Sequence, residues 1–385
     1  LAESALQTPP LALYIHIPWC VQKCPYCDFN SHGQKTPLPE SEYISHLLDD
    51  LATDAMLVGD RPISSVFFGG GTPSLFSAKG IERILTGVGE RVNLADDAEI
   101  TLEANPGTVE SEKFAAFRQA GVNRISIGVQ SFGQDKLKAL GRIHNAEQAS
   151  RAAGYAHNAG LSSFNLDLMH GLPDQSVDDA LSDLRRAIGQ LPPHLSWYQL
   201  TIEPNTLFAS KPPVLPDDDV LWDIQQQGHT LLEQAGYHQY EISGYSQPGH
   251  QCQHNLNYWR FGDYLGIGCG AHGKITDAGA NQILRTVKVK HPKGYMDLSK
   301  PYLFQSHNVV RADRPFEFFM NRLRLLEPCP KQDYERYTGL QIAEFGLAGK
   351  LTGAIDAGLI NETPQSWQLT ESGKRYLNNL LEKLV

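Results

Sequence analysis

Six short runs of β-branched and aromatic residues recur along the first half of the chain: LYIHI (13–17), SVFFG (65–69), EITLEAN (99–105), RISIGVQS (124–131), FNLDLMHG (164–171) and LSWYQLTI (195–202). Between them, residues 41–58, 77–91, 110–119, 146–159 and 176–189 repeat apolar side chains at the period of a helix with one buried face. Strands that alternate with helix-length segments predict right-handed crossovers and a parallel sheet, because parallel neighbours need a connection of a dozen residues or more. An open doubly wound sheet and a β/α barrel share this rhythm. Cys20 onward, Gly69 to Thr72, Glu103 to Asn105, Gln130 and Asp167 all fall at or just beyond strand C-terminal ends. In a barrel those ends converge on one mouth. The expected fold is therefore α/β, with a partial (β/α)6 TIM-like barrel over residues 1–215.

The pattern changes after that. DDDVLWDIQQQGHTLLEQAGY predicts a helix with an acidic start and a stop at Gly236, and residues 237–300 are mixed and rich in Gly, Tyr and His. Residues 216–305 are expected to extend the barrel. Residues 306–385 run from PFEFFMNRLRLL through two helical segments to GLINETPQSWQLTESGKRYLNNLLEKL, a strand, turn, strand and helix that predict a winged-helix-like α+β domain.

Charge narrows the partners. Winged helices often meet nucleic acid, but residues 311–385 carry 10 Lys+Arg against 10 Asp+Glu, and the whole chain carries 33 against 43, a net charge of -10. Nucleic acid is disfavoured, and a lid, a protein-docking surface or plain packing is expected instead. No apolar run approaches the roughly 20 residues that span a bilayer, and residues 1–13 lack a basic stretch followed by a long apolar one. A cytoplasmic address is expected, with membrane contact only through acceptors. The first residue is Leu rather than Met, which leaves the natural start open.

Six cysteines in 385 residues are too few for a disulfide scaffold. Half of them crowd into YIHIPWCVQKCPYCDFN (14–30) as Cys20, Cys24 and Cys27, spaced C-x3-C-x2-C, whereas Cys252, Cys269 and Cys329 are scattered and read as small buried thiols. Zinc sites want two pairs of ligands or histidines at fixed offsets, and only His32 offers a completion here. Three thiolates on a cubane leave one iron without a protein ligand. GGGTPS (69–74) follows the next strand; glycines without Cβ let a ligand approach the main chain, although a triple glycine alone is often a tight turn.

Together these motifs resemble the radical SAM superfamily over roughly the first 300 residues. The resemblance implies a [4Fe-4S] cluster on Cys20, Cys24 and Cys27, with S-adenosylmethionine (SAM) on the open iron. Tyr14, Glu103 in LEANPG, Gln130 in GVQSF, Arg142 in LGRIH and Asp167 in NLDLMHGLP align with SAM-contacting positions of oxygen-independent coproporphyrinogen III dehydrogenases. Glu103 is suited to accept from the ammonium of SAM, Arg142 to pair with its carboxylate and Asp167 to take ribose hydroxyls. Tyr26 would shield the cluster and stack on adenine, Gly70, Gly71 and Thr72 would supply main-chain and hydroxyl contacts, and Thr201 and His272 match more distant contacts. Singly, each reads as a surface or capping residue; their joint position at strand ends carries the inference.

Two features depart from those dehydrogenases. Phe29 stands where they carry a fourth cysteine, and only 13 residues precede Tyr14 where they have a longer segment that contributes to the active site. In their place, QCQHNLNYWRFGDYLGIGCGAHG (251–273) holds His254, Asn255, Tyr258 and Trp259 as H-N-x-x-Y-W, which resembles the signature of the HemW-type heme chaperones. An imidazole is a good axial ligand for heme iron, and Tyr and Trp give the macrocycle an apolar surface. His250, His272 and Cys252 are rival ligands, and a structural histidine is the bland alternative. The resemblance implies heme binding and delivery to apo-hemoproteins such as membrane respiratory enzymes, with no catalytic residue and with a homodimer allowed. The rival expectation is an oxygen-independent coproporphyrinogen III oxidase.

Overall fold

A computed structural model describes residues 5–34, 37–109 and 111–384. The six expected strands are β1 (Leu11–Ile17), β2 (Ile63–Gly70), β3 (Leu94–Ala104), β4 (Arg124–Gln130), β5 (Ser163–His170) and β6 (His194–Gln199). Each pairs in parallel with the next, in sequence order. The crossovers are α1 (Glu40–Ala55), α2 (Ala78–Gly89), α3 (Ser111–Gln119), α4 (Ala146–Asn158) and α5 (Val177–Gly189). Residue 110, where the third of these was expected to begin, lies outside the described residues.

Local chemistry sets the helix starts. Ser77 Oγ accepts from Gly80 N–H to open α2, and reciprocal capping boxes, Asn145 with Gln148 and Ser176 with Asp179, open α4 and α5. The strands are buried on both faces: β1 reads LALYIHI with only Tyr14 part-exposed, as expected where helices cover a parallel sheet. One apolar core runs from Leu11 and Ile15 through Phe68, Leu102, Ile127 and Leu168 to Leu195 and Trp197.

The later segments add what the sequence pattern did not resolve. After α6 (Asp218–Gln234) come β7 (His238–Glu241) and β8 (Gly244–Ser246), then α7 (Gln253–Trp259), β9 (Asp263–Ile267), β10 (His272–Asp277), β11 (Gln282–Lys288) and β12 (Leu303–Asn308). Among the described residues the sheet has twelve strands in the order β12-β11-β10-β9-β1-β2-β3-β4-β5-β6-β8-β7. β9 lies parallel to β1, with Leu13 opposite Leu265, so it is a seventh parallel strand on the far side of β1. Only five residues long and bounded by glycines, it gave no separate signal within the mixed segment.

The C-terminal part builds a second core from Phe318, Phe319, Tyr334, Leu351, Trp367 and Leu380. A three-stranded antiparallel sheet of Cys329–Pro330, Ser366–Leu369 and Ile360–Glu362 packs there with helices Arg314–Arg322, Lys331–Thr338 and Leu347–Asp356. Leu6 and Phe261 enter this core from outside it, and Phe261 meets Phe318 edge to face at 5.5 Å. Among the described residues no helix is long and apolar enough to cross a membrane.

Candidate functional site

The loop after β1 is closed at its base. Trp19–Cys20 pairs in parallel with His32–Gly33, His32 N–H donates to Pro18 O (2.7 Å), and Gln34 N–H donates to Cys20 O (2.8 Å). Trp19 anchors that base against Tyr43 (4.8 Å, edge to face) and Phe76 (6.2 Å, stacked). Asn30 fixes the loop from behind: its amide donates to Cys269 O (3.0 Å) and Lys290 O (2.8 Å), and its carbonyl meets His16 Nε2 at 2.8 Å. His32 is turned towards Asn30 Oδ1 (3.3 Å) and the ring of His291 (5.4 Å).

Cys20, Cys24 and Cys27 are free thiols on the wall of a cavity of about 490 Å³. That is the size range of a small-molecule cofactor site. Among the described residues no three His, Cys, Asp or Glu side chains gather around a single-ion point; the three thiols face a wider space. Burial raises the Cys20 thiol above its ordinary pKa, and Cys27 and Cys24 add to the shift by charge repulsion. Three soft donors that repel one another as thiolates fit a cationic iron-sulfur core, which relieves that repulsion. Arg142 Nη1 lies 3.7 Å from Cys24 Sγ and Nη2 donates to Gly128 O (2.7 Å), while its buried Nε has no partner.

The inward faces of β3 to β6 form the floor. Glu103 is pushed up to about 8, first by burial and then by the charge of Asp167, against the lowering effect of Gly70 N–H, which donates to it at 3.2 Å. Burial also raises Asp167, although Ser126 (2.9 Å) and Asn165 (2.7 Å) donate to its two oxygens. Two buried carboxyls that resist ionising side by side fit a cationic guest, such as the ammonium of SAM. Gln130 holds a left-handed φ of 67° and accepts from Tyr198 O–H at 2.9 Å. A non-glycine residue held there at a strand end is a feature of functional sites.

The glycine turn is committed to the protein rather than free. Gly71 N–H donates to Ile17 O and Thr72 N–H to Trp19 O, each at 2.7 Å, and Gly70 N–H is spent on Glu103. The glycines are required by crowding: a Cβ on Gly71 would stand 2.4 Å from Trp19 O, and Gly70 has φ +115° with His16 2.5 Å from where its Cβ would be. The turn therefore contributes close approach and shape, not spare N–H donors.

The cavity thus brings together Cys20, Cys24, Tyr26, Cys27, Gly70, Gly71, Thr72, Glu103, Gln130, Arg142 and Asp167. It also takes Asn255 and Trp259 from α7. Five other singled-out residues stand elsewhere. Tyr14 sits behind Gly69, with its hydroxyl 3.0 Å from His16 Nδ1. Thr201 is exposed and donates to Glu203 (2.8 Å), His272 is exposed at the start of β10, and Tyr258 packs on Trp259 and Tyr264. His254 is buried behind the lining. Its Nδ1 is 2.9 Å from Ser65 Oγ, its ring lies 5.1 Å from Phe67, and burial and Arg124 drive its pKa to about 3, so it is neutral. Glu99 holds the start of α7 by accepting from Gln253 and His254 N–H, each at 3.0 Å.

The lining also includes residues that the motifs missed: Ser126 and Gly128 on β4, Ser196 and Tyr198 on β6, Glu241 and Ser243 at the β7–β8 turn, and Arg324 beyond helix Arg314–Arg322. Ser126, Gly128 and Gln130 alternate along RISIGVQ, and this period of two was the available signal for one inward face. Nothing local marks Arg324.

The radical SAM superfamily model matches residues 14–185 and the HemN C-terminal domain model matches residues 309–376. The heme chaperone HemW of Escherichia coli is 60% identical over 377 residues, covering 98% of each chain, and that of Haemophilus influenzae is 60% identical over 378 residues, covering 97% of each. In fold, the solved structure of coproporphyrinogen III oxidase (HemN) from Escherichia coli superimposes with a TM-score of 0.83 at 24% identity, over 98% of this chain and 90% of that one. The cysteine loop at the mouth of a parallel sheet and near-complete alignment to those relatives agree, and the chain belongs to the HemW heme-chaperone family within the radical SAM superfamily.

Proposed function

We propose that this protein is a cytoplasmic heme chaperone that holds a [4Fe-4S] cluster on Cys20, Cys24 and Cys27, binds SAM beside it, and passes heme to apo-hemoproteins such as respiratory enzymes. The observation that carries this reading is that α7, which bears H-N-x-x-Y-W, turns Asn255 and Trp259 into the same cavity that the three cysteines line. A bound cluster supplies an open iron for SAM and one-electron chemistry. The protein's own part is to hold and orient: Glu103 meets the ammonium of SAM, Arg142 stands by its carboxylate, Asp167 takes its ribose hydroxyls, and Tyr26 covers the cluster side.

His254 is the proposed iron ligand. Its neutral imidazole needs no deprotonation, and the Nδ1 contact to Ser65 leaves Nε2, which has no hydrogen-bond partner among the described residues, as the donor to iron. Because the ring now packs against Phe67, ligation requires α7 to swing outward, a movement suited to a protein that must also release its cargo. The neutral charge balance of the C-terminal part suits it to a protein acceptor, and self-association into a homodimer is compatible with this role.

An anaerobic heme titration of cluster-reconstituted protein, wild type against His254→Ala, tests this reading. Saturable one-to-one binding that is lost or spectrally shifted in the variant is expected. Failure of the wild type to bind heme, together with conversion of coproporphyrinogen III under reducing conditions with SAM, overturns it in favour of the oxidase.

A further inference from the structure

Two buried donors at one side of the cavity have nothing to bond. Trp259 Nε1 and Arg324 Nε are both shielded from solvent and both lack an acceptor. They belong to one unit, because the Arg324 guanidinium lies over the Trp259 ring at 4.5 Å. The main chain holds the pair together: Ile242 N–H donates to Arg324 O (3.1 Å), and Leu326 N–H donates to Tyr240 O (3.1 Å). Leu325, Tyr240 and Leu256 make a small apolar cluster against Trp259. Arg324 arrives from the C-terminal part, Trp259 from α7, and Asn255 lies one helical turn before Trp259 on the same lining.

A carboxylate close at hand does not use them. Glu241 lines the same region and feels the charge of Arg324, yet it takes the Ser243 N–H and forms no hydrogen bond with the guanidinium among the described residues. A native protein rarely leaves two adjacent buried donors unmet, and a guanidinium stacked on an indole is pre-organised for an oxygen pair. From this we infer that Arg324 and Trp259, with Asn255, form a carboxylate-binding subsite that takes a propionate of heme. The inference rests on the heme-chaperone reading, and it adds how the ligand is oriented: the macrocycle enters with a propionate towards the C-terminal part.

The test is binding of heme and of heme dimethyl ester, which keeps the iron and ring but lacks both carboxylates, to full-length cluster-reconstituted protein. Arg324→Ala is expected to weaken heme binding about 10- to 100-fold while leaving the ester unchanged; Arg324→Lys should recover part of the loss, and Trp259→Phe should cause a smaller loss confined to heme. Unchanged cluster absorbance in each variant verifies that the fold is intact. Equal weakening of heme and ester by Arg324→Ala overturns the subsite and makes Arg324 a packing residue. A wild type that binds heme and ester equally well overturns the subsite alone, whereas a wild type that binds neither overturns the heme-chaperone reading with it.

Discussion

Replacing Glu103 by Gln tests the electrostatics of the cavity floor. The carboxyl titrates near 8 instead of its ordinary 4.5, because it is buried and faces Asp167. At 1.36 kcal/mol per pH unit, ionising it in the folded protein would cost about 5 kcal/mol in a dry site. It lines a partly open cavity and is only partly buried, so solvent screens it and we take about half, roughly 2–3 kcal/mol. The folded pKa lies above the unfolded one, so the stabilisation is fully present below pH 4.5 and is lost as pH rises through about 8. Gln keeps the shape and still accepts from Gly70 N–H, but it has no proton to lose. In urea unfolding of cluster-free, SAM-free protein, the wild type should lose roughly 2–3 kcal/mol more than Glu103→Gln between about pH 5 and pH 9. Parallel pH profiles for the two proteins would refute the argument, because Glu103 would then ionise as if alone in water.

Ala at Cys20, Cys24 or Cys27 should abolish the broad visible absorbance of the reconstituted cluster, and Phe29→Cys should leave it intact; wild-type iron and sulfide in any of the Ala variants would remove that cysteine from the ligand set. Gly71→Ala should cost about 1–3 kcal/mol in urea unfolding and impair SAM binding, since its Cβ meets the main-chain oxygen of Trp19 rather than a movable side chain. Lys288→Met leaves buried Asp50 and Asp54 without their cation and should cost about 3–5 kcal/mol at neutral pH. That cost should shrink as pH falls from neutral towards about 6, where Asp50 takes up a proton even with Lys288 beside it, and a pH-independent cost would count against this pairing.

The parallel sheet was legible because β1 to β6 are long, buried on both faces and separated by amphipathic helices, so strand and helix periods alternate without ambiguity. The cysteine spacing located the mouth for a similar reason: three thiols in eight residues have few structural explanations. What stayed hidden depends on pairing between distant segments. β9 is too short to show a period, and its place beside β1 is fixed by register with a strand some 250 residues earlier. His254 carries a motif, yet the sequence does not show that Ser65 and Phe67 hold it behind the lining. Arg324 matters through where its guanidinium lies, and no neighbouring residue announces that. The glycine turn shows a finer limit, since GGG told of close approach but not that its N–H groups were already taken.

The placement of β9 has a consequence for biosynthesis. A nascent chain that has emerged only through β6 already contains Cys20, Cys24 and Cys27, but the outer edge of β1 is bare until residues 263–267 arrive. The clasps behind the cysteine loop come later still, because Asn30 donates to Cys269 and Lys290, and Tyr43 O–H both accepts from Cys269 N–H (2.9 Å) and donates to His16 O (2.7 Å). Such long-range closure is slow and late in folding. The loop therefore gains its full set of clasps only after residue 290 has been made, so the three thiols are gathered early in the chain but held in place late.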